Sequence, residues 1–576
     1  PLPLMDRRPP PCCECCCRPE QKSDLKRDPN WTPPPFLPPT TLGLPAAEYL
    51  VVSRDALVSL LDKCKKCVEG ANHLSFHMEG LAVQCSTRCN KCGFTDTWSG
   101  SPVLKTANEG NKERLAKINV DVVTGAIITA VGGTKLRQIF LMSGISPISP
   151  STFHRLKKHY VRPAVDELFW RTQGALIDSI RERIAKGEKV HLCGDGSFDS
   201  RGYSAAYCRY FLLNAETGEV LHYIIMHKTD TGSSSTMEVA ALEQGLRELV
   251  LMIGGVDGIA SLVTDRHLAV TKMMHDKFPG IKHLYDPWHF FRNITLALVK
   301  ICKAKYMAPA RIWVKPIINR CYDAVLSAQG NGELASEKFR AILCCIAGQH
   351  KFDQDPSFKI LKECPHDPPK NPRIYLPKGG GPYKRLEDQV FTKKNCEDIK
   401  SVSANLDTSP CESINALAWR YAPKDLYFIR SGHELRTRLT VLHWNHLKAT
   451  AMDGSRPVVG KKSYTNPTHR KKVWRKVRKS ASHTWRNDIK QGTYKVREKM
   501  IETPDATERR RKAALKRQRE LWEVLTRPSR PSAADQNINS SSDEEDEEDG
   551  LLLPALTPME QLESLLDAAL EKEPDE

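Results

Sequence analysis

Three aspartates each follow a short apolar segment, and together they could bind metal ions. These are Asp195, Asp265 and Asp286. Ligands of open α/β sheets gather at the carboxyl ends of the strands, so we expect the three carboxylates to converge. Converging carboxylates repel one another and favour divalent cations. Two Mg²⁺ ions about 3.5–4 Å apart would suit phosphoryl transfer.

Each acidic residue also has a structural interpretation. An Asp that follows a strand often closes a turn or caps a helix, and Asp286-Pro287 has the pattern of an N-cap followed by a first-turn proline. Ser409 and Glu412 form the S-x-x-E pattern of a capping box. The residues alone therefore leave open whether these carboxylates bind metal or stabilise turns and helices.

A second constellation consists of cysteines. Cys64 and Cys67 form one C-x2-C pair, and Cys89 and Cys92 form another after 21 intervening residues. This spacing fits tetrahedral Zn²⁺ coordination, and the alternative is four unrelated thiols. We expect Cys85, which stands outside both pairs, to be a small buried residue.

The elements around these residues predict an α/β layer. Residues 112–188 have helical periodicity, with segments that resemble a helix-turn-helix, although an ordinary helical linker is the alternative. From residue 189 the period changes to short strands at 190–193, 206–213 and 220–226. Helices then alternate with strands at 259–264 and 281–285, which is typical of an α/β sheet.

Charge indicates the kind of partner. The net charge is +17, and residues 461–520 contain 21 Lys/Arg against 6 Asp/Glu. This basic excess favours a polyanion, most simply nucleic acid. No run approaches about 18 apolar residues, which excludes an ordinary transmembrane helix. Residues 1–18 lack the apolar segment of a secretory signal, so clustered thiols are interpreted as metal ligands before disulfides.

The order of these motifs resembles one family. The motifs are the two C-x2-C pairs, GDGSFDSRGYSAAY (194–207), VTDRH (263–267), YDPWH (285–289) and a late Glu-Ser. Over roughly residues 46–447 the chain resembles cut-and-paste DNA transposases of the Kolobok type, within the wider Mutator-like set. The resemblance implies an RNase H-like core with a DDE triad, split by an insertion.

The resemblance also implies roles for individual residues. Asp195 and Asp265 correspond to the first two catalytic acids and Glu412 to the third, and these would bind two Mg²⁺ or Mn²⁺ ions. Asp286 and His289 match a [C/D]-x2-H motif, and we class His289 with the catalytic residues, as a group that would position a strand or a metal ligand. We class Asp286 with the residues that contact the cofactor.

Two further features follow from the same resemblance. Asp199 matches a position that the family also shows, and we class it as cofactor-binding. His350, Cys364 and His366 form a His…Cys-x-His run in the expected insertion. That run offers three metal ligands without a clear fourth, so the sequence leaves its role open.

The implied function is transposition. We expect metal-dependent cleavage at transposon ends and transfer of the freed 3′-OH to target DNA, by a nuclear protein that forms homo-oligomers on double-stranded DNA, with a structural Zn²⁺ and no membrane association. One alternative is a domesticated, non-catalytic DNA-binding or chromatin protein. Another is an RNA-binding or structural nuclear protein that uses only its basic segment.

Taken together, the sequence predicts eight segments. They are a disordered Pro/Cys-rich segment (1–45), a zinc-ribbon-like module (46–104), a helical, HTH-like domain (112–188), the first part of an RNase H-like core (189–304), an insertion domain (305–405), final core helices with the third acid (406–447), a basic arm (448–530) and an acidic tail (531–576).

Two expectations concern the charged end of the chain. In the basic arm, Trp474, Trp485 and Tyr494 lie among the cations and could stack on exposed bases, although packing on a helix is the alternative. In the acidic tail, residues 543–549 are seven consecutive carboxylates. We expect this run to compete with DNA for the arm, and the alternative is that it only keeps a basic chain in solution.

Overall fold

The computed structural model describes a large part of the chain: residues 48–104, 115–201, 204–366, 375–424, 426–465 and 472–499. The chain divides into two units. The first comprises residues 1–74 and 87–96, and the second comprises 75–86 and 97–576. The predicted segments 1–45 and 531–576, and the arm beyond residue 499, lie outside the described residues.

The helices and strands are numbered in chain order. The strands are β1 (Asn72–Glu79), β2 (Ala82–Cys89), β3 (Thr95–Ser99), β4 (Val190–Phe198), β5 (Tyr207–Asn214), β6 (Val220–His227), β7 (Ile259–Thr264), β8 (Lys282–Tyr285), β9 (Val458–Thr465) and β10 (Lys472–Arg478). The helices of the first half are α1 (Arg54–Leu61), α2 (Lys117–Ile128), α3 (Gly133–Met142), α4 (Pro150–Leu156), α5 (Arg162–Ala185), α6 (Lys228–Thr231), α7 (Met237–Ile253) and α8 (Leu268–Lys277). The remaining helices are α9 (Pro287–Cys302), α10 (Ala308–Arg311), α11 (Val314–Leu326), α12 (Gly332–Ile346), α13 (Gly381–Gln389), α14 (Lys393–Asp398), α15 (Ser409–Tyr421), α16 (Arg430–Met452) and α17 (Thr484–Lys499).

A five-stranded mixed sheet lies at the centre of the second unit. Its strand order is β6-β5-β4-β7-β8. Strands β4, β5 and β6 pair antiparallel, whereas β7 and β8 join in parallel. All eight residues of β5 are buried, as expected for a strand covered on both faces. The predicted α/β layer is therefore present.

Alternate residues of the sheet belong to two hydrophobic cores. Leu213 and Val263 join the core formed with α2, α5, α15, α16 and α17. Leu212 and Leu262, one position earlier, join the core formed with α7 and α8. Because successive side chains of a strand point to opposite faces, helices cover both faces of the sheet.

Strand β4 is longer than the sequence predicted. It pairs with β5 from Leu192 to Phe198, whereas its pairing with β7 ends at Cys193. Asp195 therefore lies inside a strand, not after one as we expected. It nevertheless stands two residues beyond the end of the parallel pairing, where the strand edge that β7 leaves open begins.

The predicted insertion (305–405) is mainly helical, with helices α10 to α14. Helices α9 to α14 pack around a second-unit core of their own, which includes Phe290, Trp313 and Phe339. Proline or glycine occurs at the starts of several of these helices. Pro287 and Pro382 lie in the first turn of α9 and α13, where proline is tolerated.

Part of the predicted basic arm belongs to the folded core. On α17, Trp485 and Ile489 are buried in the core that contains α5. Arg497, also buried, donates a hydrogen bond to Tyr160 at 3.0 Å. With the buried Thr493 these residues recur at intervals of four, which places them on one buried face of the helix. Residues 484–499 therefore form a helix that packs against the core, and the prediction of a basic arm was wrong for them.

Within the described ranges, no helix is both long enough and apolar enough to cross a membrane.

Candidate active site and metal clusters

Glycines around Asp195 allow close packing behind the strand. A Cβ added to Gly194 would lie 2.7 Å from the ring of Tyr210, and one added to Gly196 would lie 3.0 Å from Cγ of Glu238. The structure fills both positions with protein side chains. Any larger residue would push β4 away from β5 and α7, and would displace Asp195.

Acidic residues from two elements converge on a histidine of a third. Nε2 of His289 lies 3.3 Å from Oδ1 of Asp265 and 3.4 Å from Oε1 of Glu412. Asp265 directly follows β7, His289 is in the first turn of α9, and Glu412 is in the first turn of α15. Elements 147 residues apart in sequence are thus brought to one place.

The structure decides against the capping-box interpretation of Glu412. Helix α15 begins at Ser409, and its N-cap is Thr408, which makes no side-chain capping bond. The carboxylate of Glu412 faces His289 instead. A residue that could have been a helix cap is therefore available for chemistry.

Asp286, unlike Glu412, is a helix cap. It is 2% exposed and is the N-cap of α9, where Oδ1 accepts a hydrogen bond from the backbone amide of His289 at 2.9 Å. Oδ2 accepts from the amide and the hydroxyl of Thr408, at 2.8 and 3.0 Å. Both oxygens have protein donors, so the geometry gives Asp286 a positioning role and not the cofactor contact that we predicted.

Asp199 also makes hydrogen bonds within the protein. Its Oδ1 accepts from the amide of Ala206 at 3.0 Å, and its own amide donates to the carbonyl of Tyr207 at 3.1 Å. These bonds close the turn between β4 and β5. They account for Asp199 without a cofactor, although its second carboxylate oxygen is not used by them.

Two residues at this site were missed by the sequence reasoning. Nδ2 of Asn415 donates to Oδ2 of Asp195 at 2.9 Å. Asn415 stands three residues after Glu412, on the same helical face, and that spacing was the available signal. Glu238, in the first turn of α7, is mostly buried and lies close enough to Asp195 to raise its pKa. In the sequence Glu238 looks like an ordinary first-turn acid.

The electrostatics indicate a deficit of positive charge. Burial, then repulsion from Asp265, Glu238 and Glu412, raises the pKa of Asp195 to about 7. Burial also raises the pKa of Asp265 to about 6. His289 does not supply enough charge to offset this cluster. A divalent cation would, so the charge of the site favours a cation, but Asp195, Asp265 and Glu412 are not among the described groups whose ligand atoms all lie within 4.8 Å of one another.

The predicted cysteine cluster forms in the first unit. Sγ of Cys64 lies 3.7 Å from that of Cys92, and Sγ of Cys67 lies 3.6 Å from that of Cys89. All four sulfurs lie within 4.8 Å of one another. Four thiolates about 2.3 Å from one Zn²⁺ would be about 3.8 Å apart, so this group could hold zinc.

Backbone amides donate hydrogen bonds to two of these sulfurs. Lys66 N–H points to Sγ of Cys64, and Lys91 N–H and Cys92 N–H point to Sγ of Cys89. Such donors stabilise thiolates, and they lower the pKa of Cys89 to about 6. Cys85 is 1% exposed and lies outside the cluster, as predicted.

A second cluster completes the His…Cys-x-His run. The ligand atoms of Cys345, His350, Cys364 and His366 all lie within 4.8 Å of one another. The sequence reasoning missed Cys345 because it lies on α12, in a Cys-Cys pair with apolar neighbours that is typical of a helix core.

Comparison with known families supports part of this description. Residues 50–229 match the family of Mutator-like transposases. The matched region includes the four-cysteine cluster and Asp195, whereas Asp265, His289 and Glu412 follow it. No curated protein matches the chain. The predicted resemblance to Mutator-like transposases is confirmed, and the family implies a transposition-related function and DNA as the partner.

Proposed function

From this Mutator-like transposase domain and the acidic site beside it, we propose that the protein is a DDE transposase. It would cleave DNA at transposon ends in a metal-dependent reaction and join the freed 3′-OH to target DNA. One observation carries the proposal: Asp265 and Glu412 meet at His289, and Asp195 lies close enough for their charges to raise its pKa.

The topology supports an RNase H-like core. Three antiparallel strands in chain order are followed by two parallel strands on the other side of the first, with helices on both faces. The helices α10 to α14 separate the β8–α9 connection from α15, as expected for an insertion that splits such a core. The third acid then returns to the sheet on α15.

We propose that Asp195, Asp265 and Glu412 hold two Mg²⁺ or Mn²⁺ ions. When bound, such ions stabilise the charges that develop on the attacking and leaving oxygens of a phosphate diester. The protein supplies the geometry: Asn415 orients Asp195 through the bond to its Oδ2. His289 separates the other two carboxylates and would donate a hydrogen bond to either of them when protonated.

The remaining parts of the proposal concern partners. The four-cysteine cluster would bind one structural Zn²⁺. Exposed cations on the β9–β10 hairpin, among them Lys461, Lys462 and Lys476, would contact the phosphates of double-stranded DNA. Nuclear location is part of the same proposal. So is a homo-oligomer on DNA, because end joining requires two DNA ends to be held together.

A cleavage assay tests the function. The full chain would be incubated with a supercoiled plasmid that carries the genomic DNA on both sides of the coding sequence, with Mg²⁺ or Mn²⁺. We expect nicked and linear products from the wild type, and a loss of at least about a hundredfold with Asp195→Asn, Asp265→Asn or Glu412→Gln. The matched control is Asp257→Asn, an exposed carboxylate in the turn before β7, which should cleave normally.

The alternative function predicts a different pattern. A domesticated DNA-binding protein would bind the plasmid without cleaving it, and its affinity would be the same in the wild type and the three active-site variants. Binding without metal-dependent cleavage would therefore overturn the enzyme proposal.

A further inference from the structure

We propose that Cys345, His350, Cys364 and His366 form a second Zn²⁺ site, which fastens the loop at residues 347–366 to helix α12. The proposal is independent of catalysis, since these residues belong to the helical insertion and not to the acidic site.

The four side chains offer the ligand set of a Cys₂His₂ centre. Nε2 of His366 lies 3.5 Å from Sγ of Cys345. With Zn–S near 2.3 Å and Zn–N near 2.05 Å, a tetrahedral ion places such a pair about 3.6 Å apart. The rings of His350 and His366 meet edge to face, with centroids 5.4 Å apart, and one ring nitrogen of each lies within 4.8 Å of both sulfurs.

The distance between the two sulfurs is intermediate between that of a Zn²⁺ site and that of a disulfide. Sγ of Cys345 lies 2.7 Å from Sγ of Cys364, and Zn²⁺ coordination would open this distance to about 3.8 Å. A disulfide would instead close it to about 2.05 Å. A disulfide would involve only the two cysteines and would not account for the two imidazoles beside them. A metal ion would be coordinated by all four side chains. We therefore favour the metal.

Backbone hydrogen bonds hold the ligands together from both ends of the loop. The amide of Cys364 donates to the carbonyl of His350 at 2.9 Å, next to a two-residue antiparallel bridge between Lys351 and Glu363. The loop thus returns on itself, so that a ligand at each end reaches Cys345 on the helix. Nη1 of Arg320, on α11, donates to Sγ of Cys345 at 3.6 Å and would favour its thiolate form.

The rest of the loop shows why a metal would matter there. Between the end of α12 and His366 the chain forms no helix or strand beyond that bridge. Two of its other attachments are a small apolar cluster, in which the centroids of the stacked rings of Phe352 and Phe358 lie 4.4 Å apart, and the carboxylate of Glu337. That carboxylate accepts hydrogen bonds from the three backbone amides of residues 359–361. Binding of a structural Zn²⁺ would add a further attachment, at residues 350 and 364–366.

Metal analysis of the full chain tests the site. The protein would be purified in reducing buffer without chelator, and zinc would be counted per chain. We expect two Zn²⁺ in the wild type, one in Cys364→Ser/His366→Gln and one in Cys64→Ser/Cys67→Ser. The matched control is Cys344→Ser, which alters the neighbouring thiol outside the cluster and should keep two.

Cobalt spectroscopy covers the case in which the loop variant misfolds. The Cys64→Ser/Cys67→Ser protein keeps the insertion intact, and after loading with Co²⁺ it should show the visible bands of a tetrahedral S₂N₂ site. The proposal would be overturned by one zinc in the wild type that Cys364→Ser/His366→Gln does not remove. It would equally be overturned by a Cys345–Cys364 disulfide peptide in a non-reducing digest of the zinc-treated protein.

Discussion

Asp286 accepts hydrogen bonds from both the amide and the hydroxyl of Thr408, 122 residues later in the chain. The same carboxylate caps α9 through the amide of His289. One buried side chain therefore fixes the start of the helix that carries His289 and the residue that precedes the helix of Glu412. The position of Glu412 relative to His289 depends on this connection.

The first prediction concerns this connection. Asp286→Asn replaces an acceptor oxygen by a donor and should lower the free energy of unfolding by about 2–3 kcal/mol. Thr408→Val removes one hydrogen bond and should cost about 1 kcal/mol, whereas Thr408→Ser keeps the hydroxyl and should resemble the wild type. Denaturant unfolding measures all three variants. Equal stability of Thr408→Val and Thr408→Ser would show that the hydroxyl does not hold the helix start.

The same variants should affect DNA cleavage through geometry. A displacement of about 1 Å in a catalytic group can cost about a hundredfold in rate. We expect Asp286→Asn to lower the cleavage rate while DNA affinity stays unchanged, because no phosphate contact is removed.

The second prediction concerns Asn415. Asn415→Leu keeps the size of a buried side chain and removes the donor to Asp195. A hydrogen bond to a charged group contributes about 1.5–3 kcal/mol, so cleavage should fall at least about tenfold. The control is Asn293→Ala, an exposed asparagine on α9. If the rates of Asn415→Leu and the wild type agree, Asn415 does not orient Asp195.

The sequence predicted the strands of the sheet well, because their apolar character is continuous. The segment 259–264 coincides with β7, and the start of β8 differs by one residue. The end of β4 was missed for a physical reason: Gly194, Asp195 and Gly196 lack the apolar, β-branched character of a strand. They remain extended because the antiparallel partner β5 continues alongside them.

The site was predictable where spacing is local and was missed where the fold supplies the partner. The four cysteines of the first cluster occur as two C-x2-C pairs and were found from the sequence. Cys345 and Glu238 carry no local pattern, since each looks like an ordinary helix residue. Only the tertiary fold brings Cys345 to His366 and Glu238 to the back of Asp195.

The third prediction concerns acid stability. His433 is 5% exposed, packs against the rings of Tyr207 and Phe428, and lies near Arg209 and Arg436. Burial, with repulsion from these arginines, lowers its pKa to about 4 from 6.5. The unfolded chain therefore binds more protons than the folded protein between pH 6.5 and 4. The stability is present above pH 6.5 and is lost as the pH falls toward 4.

A variant that does not titrate isolates this effect. By pH 5 the loss from a shift of this size is about 2 kcal/mol relative to pH 7. His433→Gln should lose that much less stability than the wild type between the two pH values, as measured by denaturant unfolding. The exposed His154→Gln should follow the wild type. An identical pH dependence for His433→Gln and the wild type would contradict the assignment.

The fourth prediction separates two tryptophans of the predicted basic arm, Trp474 and Trp485. Trp474, on the β9–β10 hairpin, is 66% exposed, whereas Trp485, on α17, is 4% exposed and lies in the core. Trp485→Ala should therefore destabilise the protein by about 3–5 kcal/mol. Trp474→Ala should leave the midpoint of unfolding unchanged and weaken binding to single-stranded DNA, where a base can stack on the exposed ring, by about 1–3 kcal/mol.

Binding to duplex DNA provides the control for Trp474. Paired bases are not free to stack on a protein ring, so Trp474→Ala should change duplex affinity little, whereas Lys476→Ala should weaken both complexes through lost phosphate contact. Equal loss of duplex and single-strand affinity in Trp474→Ala would mean that the ring supports the hairpin and does not contact bases. In that case the hairpin would bind DNA by charge alone, and its affinity would fall steeply with salt for both forms of DNA.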